Sequence, residues 1–155
     1  MTFVGRYGTV RPPAMNVRTS TRFRRERAAV PSARAYVRHA LRSAGAPADT
    51  LDRLVLAVAE ACNNAILHAG GDVFTVSVVV EGSRAMVAVA DDGSGFEPPL
   101  RPAMPAPEAT GNRGLALMEA LVDQVDVSST RRGTTVVLVQ SLAPDVRGAP
   151  VVAER

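Results

Sequence analysis

The sequence predicts an α+β fold, a two-layer sandwich in which a mixed, mostly antiparallel sheet carries helices on one face. Three observations predict it. The chain has 155 residues, room for one domain. Segments with a helical period and segments with a strand period are segregated along it instead of alternating regularly. Two alternating runs are joined by only Gly82-Ser83, a loop length that makes neighbouring strands antiparallel.

The elements follow in order. Residues 1–18 have no period and hold Gly5, Gly8, Pro12 and Pro13, which reads as a mobile basic arm. Thr19 to Ala29 reads as a polar, arginine-rich edge strand. Pro31 and Ser32 open a helix running to Ser43, and Gly45 and Pro47 stop it. A second helix starts near Asp49 or Thr50 and reaches Ala69, ended by Gly70-Gly71. The strands Val73–Glu81 and Arg84–Asp91 form the hairpin. Between Gly93 and Arg113 lie five of the eleven prolines, and a loop that long in a small domain reads as a lid or binding loop. A third helix, Leu115–Val122, leads to strands at Val125–Ser129 and Thr134–Ser141 around a turn at Arg131–Gly133. The domain is thus expected over 19–142, with 143–155 a frayed tail.

Composition narrows the chemistry. All 18 positive side chains are Arg, so Schiff-base catalysis and a phosphate-binding lysine are excluded. One Cys and two His exclude a disulfide framework and the common zinc sites. No apolar run is long enough to span a membrane and no leader is evident, so the cytoplasm is the expected place. Residues 1–42 carry ten Arg against the single acid Glu26, whereas 43–155 carry eight Arg against fourteen acids. Such a basic segment can meet nucleic acid or an acidic partner. Without aromatic and Gly interleaving it reads better as a solvated arm and strand edge, and direct nucleic-acid binding is not expected.

On a helical wheel the second helix places Leu51, Leu54, Val55, Val58, Cys62, Ala65, Ile66 and Ala69 on one stripe, the expected core face. Glu60 and Asn64, one turn apart, stack nearly opposite it, among Leu56, Ala57 and Leu67. A carboxylate and an amide on a half-apolar face suit the wall of a pocket; they also suit a solvated helix back. An amide oxygen is a hard neutral ligand compatible with Mg²⁺, and a carboxylate one turn away can deprotonate a hydroxyl or water. His68 continues that line, in the position of a helix-end dipole partner.

The strand ending at Ala90 runs into Asp91-Asp92-Gly93-Ser94-Gly95-Phe96. Alternation puts Asp91 on the face of Val87 and Val89, where a carboxylate needs hydrogen-bond donors. Gly93 and Gly95 allow close approach of a flat ligand, or simply a turn. Gly111-Asn112-Arg113-Gly114 stands just before the third helix, where free N–H groups and the helix dipole favour an anion.

Together and in this order, the four segments resemble the GHKL ATP-binding superfamily, which includes gyrase and histidine kinases. Glu60-Ala-Cys-Asn-Asn64-Ala-Ile-Leu-His68 resembles its N-box and Asp91-x-Gly93-x-Gly95 its G1 box. Gly111 to Gly114 resembles the G2 box, and Gly133-Thr134 the closing Gly-Thr. Within the superfamily the run is similar to the small anti-sigma-factor serine/threonine kinases of sporulation and stress response, over roughly residues 20–142. The resemblance implies ATP and Mg²⁺ as cofactors. Glu60 would be the catalytic base and Asn64 the metal ligand. Asp91 would read the adenine amine, Gly93 and Gly95 would pack on the nucleotide, and Thr134 would complete the base site. Gly111, Arg113, Gly114 and Leu115 would belong to the phosphate-covering lid. The implied partners are a sigma factor, an anti-anti-sigma (STAS-domain) protein that accepts the phosphoryl group on a serine or threonine, and a second copy of the chain. One departure is Asn112-Arg113-Gly114 where the family usually has Gly-x-Gly. It keeps open an alternative: a nucleotide-binding regulatory module with little turnover, acting by competitive partner binding. A detached histidine-kinase catalytic domain is a third reading, for which His39 is a poor phospho-acceptor.

Overall fold

The computed structural model describes residues 16–68, 71–92 and 110–143. The expectations for most of the arm (1–15), for Gly93, Gly95 and most of the lid (93–109), and for the tail beyond 143 lie outside those residues.

Strand β1 spans Val17–Arg24 and is followed by helices α1, Ala29–Ser43, and α2, Ala48–His68. The hairpin β2, Val73–Glu81, and β3, Arg84–Asp91, has the bounds expected. Helix α3, Thr110–Leu121, then leads into β4, Gln124–Thr130, and β5, Gly133–Ser141. The five strands stand in the order β1-β2-β3-β5-β4, and every pairing is antiparallel. The sheet is therefore antiparallel throughout its described strands, not mixed. The α+β class and the single helical layer are as expected, since α1 and α2 both pack on the sheet and α3 packs on α2.

The period of two explains the sheet. Val76, Val78 and Val80 of β2, Ala85, Val87 and Val89 of β3, and Val136 and Leu138 of β5 all point to the helices and are buried. The register aligns Val78, Val87, Leu138 and Val125 in one row across four strands. Opposite them α1 inserts Ala33, Val37 and Leu41, and α2 inserts Leu51, Leu54, Val55, Val58 and Cys62. Each large side chain buried here contributes about 1.5–3 kcal/mol relative to exposure. Phe23 of β1 stacks on Phe74 with centroids 5.7 Å apart and meets Tyr36 of α1 edge-on at 6.0 Å. The Tyr36 hydroxyl lies 2.7 Å from Thr19 Oγ1, so α1 is anchored to the edge strand by both packing and a hydrogen bond.

The bounds of three elements differ from expectation by more than a residue at an end that matters. β1 begins at Val17 and ends at Arg24, so the arm is shorter and the strand lies earlier. Its alternation of half-buried and exposed residues starts at once, and Val17 pairs with Val80. Helix α1 starts two residues before Pro31, which sits in its first turn, where a missing N–H is harmless because no intrahelical acceptor exists for it. Helix α3 begins at Thr110, so Gly111 to Gly114 form its first turn instead of preceding it. Two glycines disfavour helix there. What overrides them is packing: Gly114 rests on α2, and Met118 one turn on is buried in the core.

Candidate functional site

Helix α2 has two working faces. The stripe from Leu51 to Ala65 is buried as expected, and Ile66 is partly so; Ala69 lies outside the described residues. The opposite side is not a solvated back. Ala57 and Ala61, which share it with Glu60 and Asn64, are 0% and 1% exposed, and Glu60 and Asn64 are half-buried. Leu56 and Leu67, expected on the same half, are exposed.

The reason is α3. A Cβ placed on Gly114 would stand 3.3 Å from both the Nδ2 and Oδ1 of Asn64 and 3.5 Å from Glu60 Oε2. Gly114 is thus a cradle for the amide and the carboxylate, and any side chain there would press on both. The carboxylate and amide converge beside the N-terminal turn of a helix, whose free N–H groups favour an anion. Arg113 next to it is exposed, and Leu115 is half-buried, packed against the core. Gly111 lies in the same turn.

A second cluster forms where β3 and β5 meet. Asp91 is half-buried on the helix-facing side, as the alternation predicted. Its Oδ1 accepts a hydrogen bond from the Thr134 backbone N–H at 3.3 Å. Thr134 is buried, and its hydroxyl lies 3.1 Å from that of Ser129 on β4. Gly133 explains how the strands come so close. Its φ is +143°, and a Cβ there would stand 1.9 Å from the Asp91 carbonyl oxygen. Sequence reasoning noticed Gly133 only as a companion of Thr134. The signal was the two-arginine turn before it, after which a residue without a side chain starts a strand.

Both clusters lie at one end of the domain. Phe74 pairs with Asp91, and Ala90 with Thr135. At the same end Arg25 follows β1; its N–H donates to the Asp72 carbonyl at 2.8 Å, and its guanidinium to the Ile66 carbonyl near the end of α2 at 3.4 Å. The Asn64 end of α2 and the Asp91 end of β3 are therefore held together. Gly71 adds to this, with Asp92 Cβ 3.2 Å from where its own Cβ would be. His68 is exposed in the last turn of α2, a helix-end position that suits its sequence reading. Cys62, on the core face, is buried, and desolvation pushes its thiol up to about 12. It is packing, not a nucleophile.

The donor set fits a nucleotide with a hard cation: a neutral amide oxygen and a carboxylate beside a glycine-only approach, with half-buried Asp91 held by buried Thr134 at the same end.

Comparison with known proteins agrees with the geometry. The histidine kinase-like ATPase domain family matches residues 23–140. An anti-sigma F factor of Clostridium acetobutylicum is 31% identical over 105 residues, 61% of this chain and 73% of that protein. The serine-protein kinase RsbW of Bacillus subtilis is 34% identical over 108 residues, 61% of this chain and 66% of that one. A solved structure of the RsbU and RsbW domains of a Mycobacterium tuberculosis protein superposes with a TM-score of 0.64 at 24% identity, over 81% of this chain. This chain spans about a third of that longer protein, 32%. The site architecture and these likenesses place the chain in the histidine kinase-like (GHKL) ATPase domain family, in its anti-sigma-factor serine kinase branch.

Proposed function

We propose that this chain is an ATP-dependent serine/threonine protein kinase that also sequesters a sigma factor, with an anti-anti-sigma (STAS-domain) protein as phosphoryl acceptor. It would act in the cytoplasm as a homodimer; no helix among the described residues is long and apolar enough to cross a membrane. The observation that carries the reading is the packing of Gly114 directly on Asn64 and Glu60. It joins a metal-competent amide, a carboxylate base and a helix N-terminus at one point.

In this reading Asn64 would hold Mg²⁺, which when bound neutralises charge on the phosphates. Asp91, held by the Thr134 N–H, accepts from the exocyclic amine of adenine, and Thr134 supports it. Gly93 and Gly95 follow Asp91 in the chain and would pack on the base. Gly111, Arg113, Gly114 and Leu115 line the phosphate side. The acceptor hydroxyl gives its proton to a Glu60 carboxylate oxygen while its own oxygen bonds to the terminal phosphorus. The bond to the bridging oxygen then breaks, and ADP leaves.

One observation favours the second reading, a nucleotide-binding module that works by partner competition with little turnover. Asn112 and Arg113 stand inside the first turn of α3, where the family has a glycine loop. A titration calorimetry series with ATP, with and without Mg²⁺, on the wild type and Asn64→Ala is the first test. Mg²⁺-dependent binding that the variant loses supports the kinase reading. Binding indifferent to Mg²⁺ refutes the metal role of Asn64. Acid-stable phosphate on a STAS-domain acceptor then separates the kinase from the competitive module, and acid-labile phosphate would point to transfer to histidine.

A further inference from the structure

The hairpin of β4 and β5 reaches the Asp91 cluster with one residue that the proposed function leaves unused. Ser129, on edge strand β4, is half-buried on the helix-facing side with Val125 and Val127, and it pairs in register with Thr134. The two hydroxyls lie 3.1 Å apart, a hydrogen bond that either could donate. On its other side Thr134 gives its backbone N–H to Asp91 Oδ1 at 3.3 Å. The turn between the strands is clamped by the next side chain. The Arg132 N–H donates to Thr130 Oγ1 at 3.2 Å, and the Thr130 hydroxyl donates to the Gly133 carbonyl at 3.4 Å. Asp91 and the turn thus fix where the Thr134 backbone stands. What Ser129 adds is the direction of the Thr134 hydroxyl proton.

We infer that Ser129 is a positioning residue for base recognition: by donating to the Thr134 hydroxyl it turns that hydroxyl's own proton toward the nucleotide, and so selects a base with an acceptor nitrogen beside its exocyclic amine. The inference rests on the nucleotide reading given above and deepens it. Its direction follows from charge. A hydroxyl has one proton and two lone pairs, whereas a carboxylate has lone pairs alone. Because the Asp91 carboxylate holds the Thr134 N–H, it draws the hydroxyl proton of the same residue to its side and leaves the lone pairs facing Ser129. Ser129 therefore donates. This end of the site then offers one acceptor, Asp91, beside one donor, the Thr134 hydroxyl. Adenine presents the matching edge, an amine at position 6 beside an acceptor nitrogen at position 1. Guanine and hypoxanthine present the reverse, an oxygen beside an N–H, which sets lone pair against lone pair and proton against proton. Thr134 is only 6% exposed, so a mismatched hydroxyl has little water to turn to. A buried polar group left unpaired in that way is what makes such discrimination strong.

The test is titration calorimetry of the whole chain, in Mg²⁺, with ATP and two analogues. In 1-deaza-ATP a C–H replaces the acceptor nitrogen; purine riboside triphosphate keeps that nitrogen and lacks the amine. The wild type is expected to bind 1-deaza-ATP about five- to tenfold more weakly than ATP, the worth of one hydrogen bond. Ser129→Ala should weaken ATP and purine riboside triphosphate by a similar factor and leave 1-deaza-ATP unchanged. Ser129→Thr, which keeps a hydroxyl in place, should bring ATP back to near the wild-type value. A loss of packing or strand order moves all three ligands together, as Thr130→Val is expected to do by loosening the turn. Equal losses for all three in Ser129→Ala, or no loss, overturn the proposal and leave the nucleotide site standing. Failure of Ser129→Thr to recover overturns the hydroxyl as the acting group. A wild type that binds 1-deaza-ATP as tightly as ATP overturns the proposal without any variant, whatever Ser129→Ala does to folding. A wild type that binds none of the three overturns the nucleotide reading as well.

Discussion

Gly133→Ala is the sharpest test of how the Asp91 site is built. The added Cβ would stand 1.9 Å from the Asp91 carbonyl oxygen and 2.9 Å from its carbonyl carbon, both backbone atoms that no rotamer can move away. The residue also sits at φ +143°, which L side chains rarely adopt. Strain of that kind costs about 1–3 kcal/mol, and forcing β3 and β5 apart adds about 1–3 kcal/mol of overpacking. A loss near 3 kcal/mol lowers the Tm of a domain this size by roughly 12 °C. The control is Gly82→Ala, at φ +57° with nothing near its Cβ, which isolates conformational strain at about 1 kcal/mol. Differential scanning calorimetry of both variants, followed by nucleotide titration of whatever folds, reads the result. The expected order is a large loss at 133, a small one at 82, and weakened nucleotide binding only at 133. Equal small losses at both positions would refute the argument that β3 and β5 meet at Gly133 because it has no side chain.

Four further outcomes are expected. Glu60→Ala should retain ATP binding and lose about 10²-fold or more in transfer to a STAS-domain acceptor, measured with radiolabelled ATP; undiminished transfer sinks the base assignment. Gly114→Val should weaken ATP binding, because its side chain must press on Asn64 and Glu60, and titration calorimetry with an unaltered value would show the cradle to be incidental. Gln140→Leu should cost about 1–3 kcal/mol in urea unfolding, since buried Gln140 accepts from the Asp123 N–H and donates to its carboxylate. Cys62 holds its proton more tightly when folded, up to about 12 against 9.0 for the free thiol. Its contribution is complete below pH 9 and lost as pH rises from there toward 12, so stability should fall over that window and fall less in Cys62→Ala. Thiol labelling with Ellman's reagent at pH 8 should be slow until the chain unfolds.

The sequence was most legible where one local rule had no competitor. The hairpin bounds came from strict alternation on both sides of Gly82-Ser83, and the core face of α2 came from its period. Asp91 fell on the predicted face for the same reason. Legibility failed where tertiary contact overrides local preference. Gly111 to Gly114 read as a loop because glycine disfavours helix, yet the close approach of α3 to Asn64 makes glycine at 114 a packing requirement. The burial of Ala57 and Ala61 was equally hidden, since alanine carries too little hydrophobic signal to mark a second interface. The start of β1 was obscured by arginine, whose long stem tolerates an exposed edge position. The turn at Arg131-Arg132 marks Gly133 as a strand start, but its steric constraint comes from Asp91 on another strand and is not legible locally.

The contact between Gly133 and Asp91 has one more consequence. β3 ends and β5 begins side by side, so everything from 92 to 132, helix α3 and β4 included, is an excursion that returns to its starting point. Closing such an excursion costs free energy only as the logarithm of its length. A segment tethered in this way can gain or lose residues while its two ends stay fastened to adjacent strands. Asp91 and Thr134 are thus held by the sheet itself, whereas Gly114 reaches Glu60 and Asn64 from within the excursion, so the two halves of the proposed site are free to change at different rates.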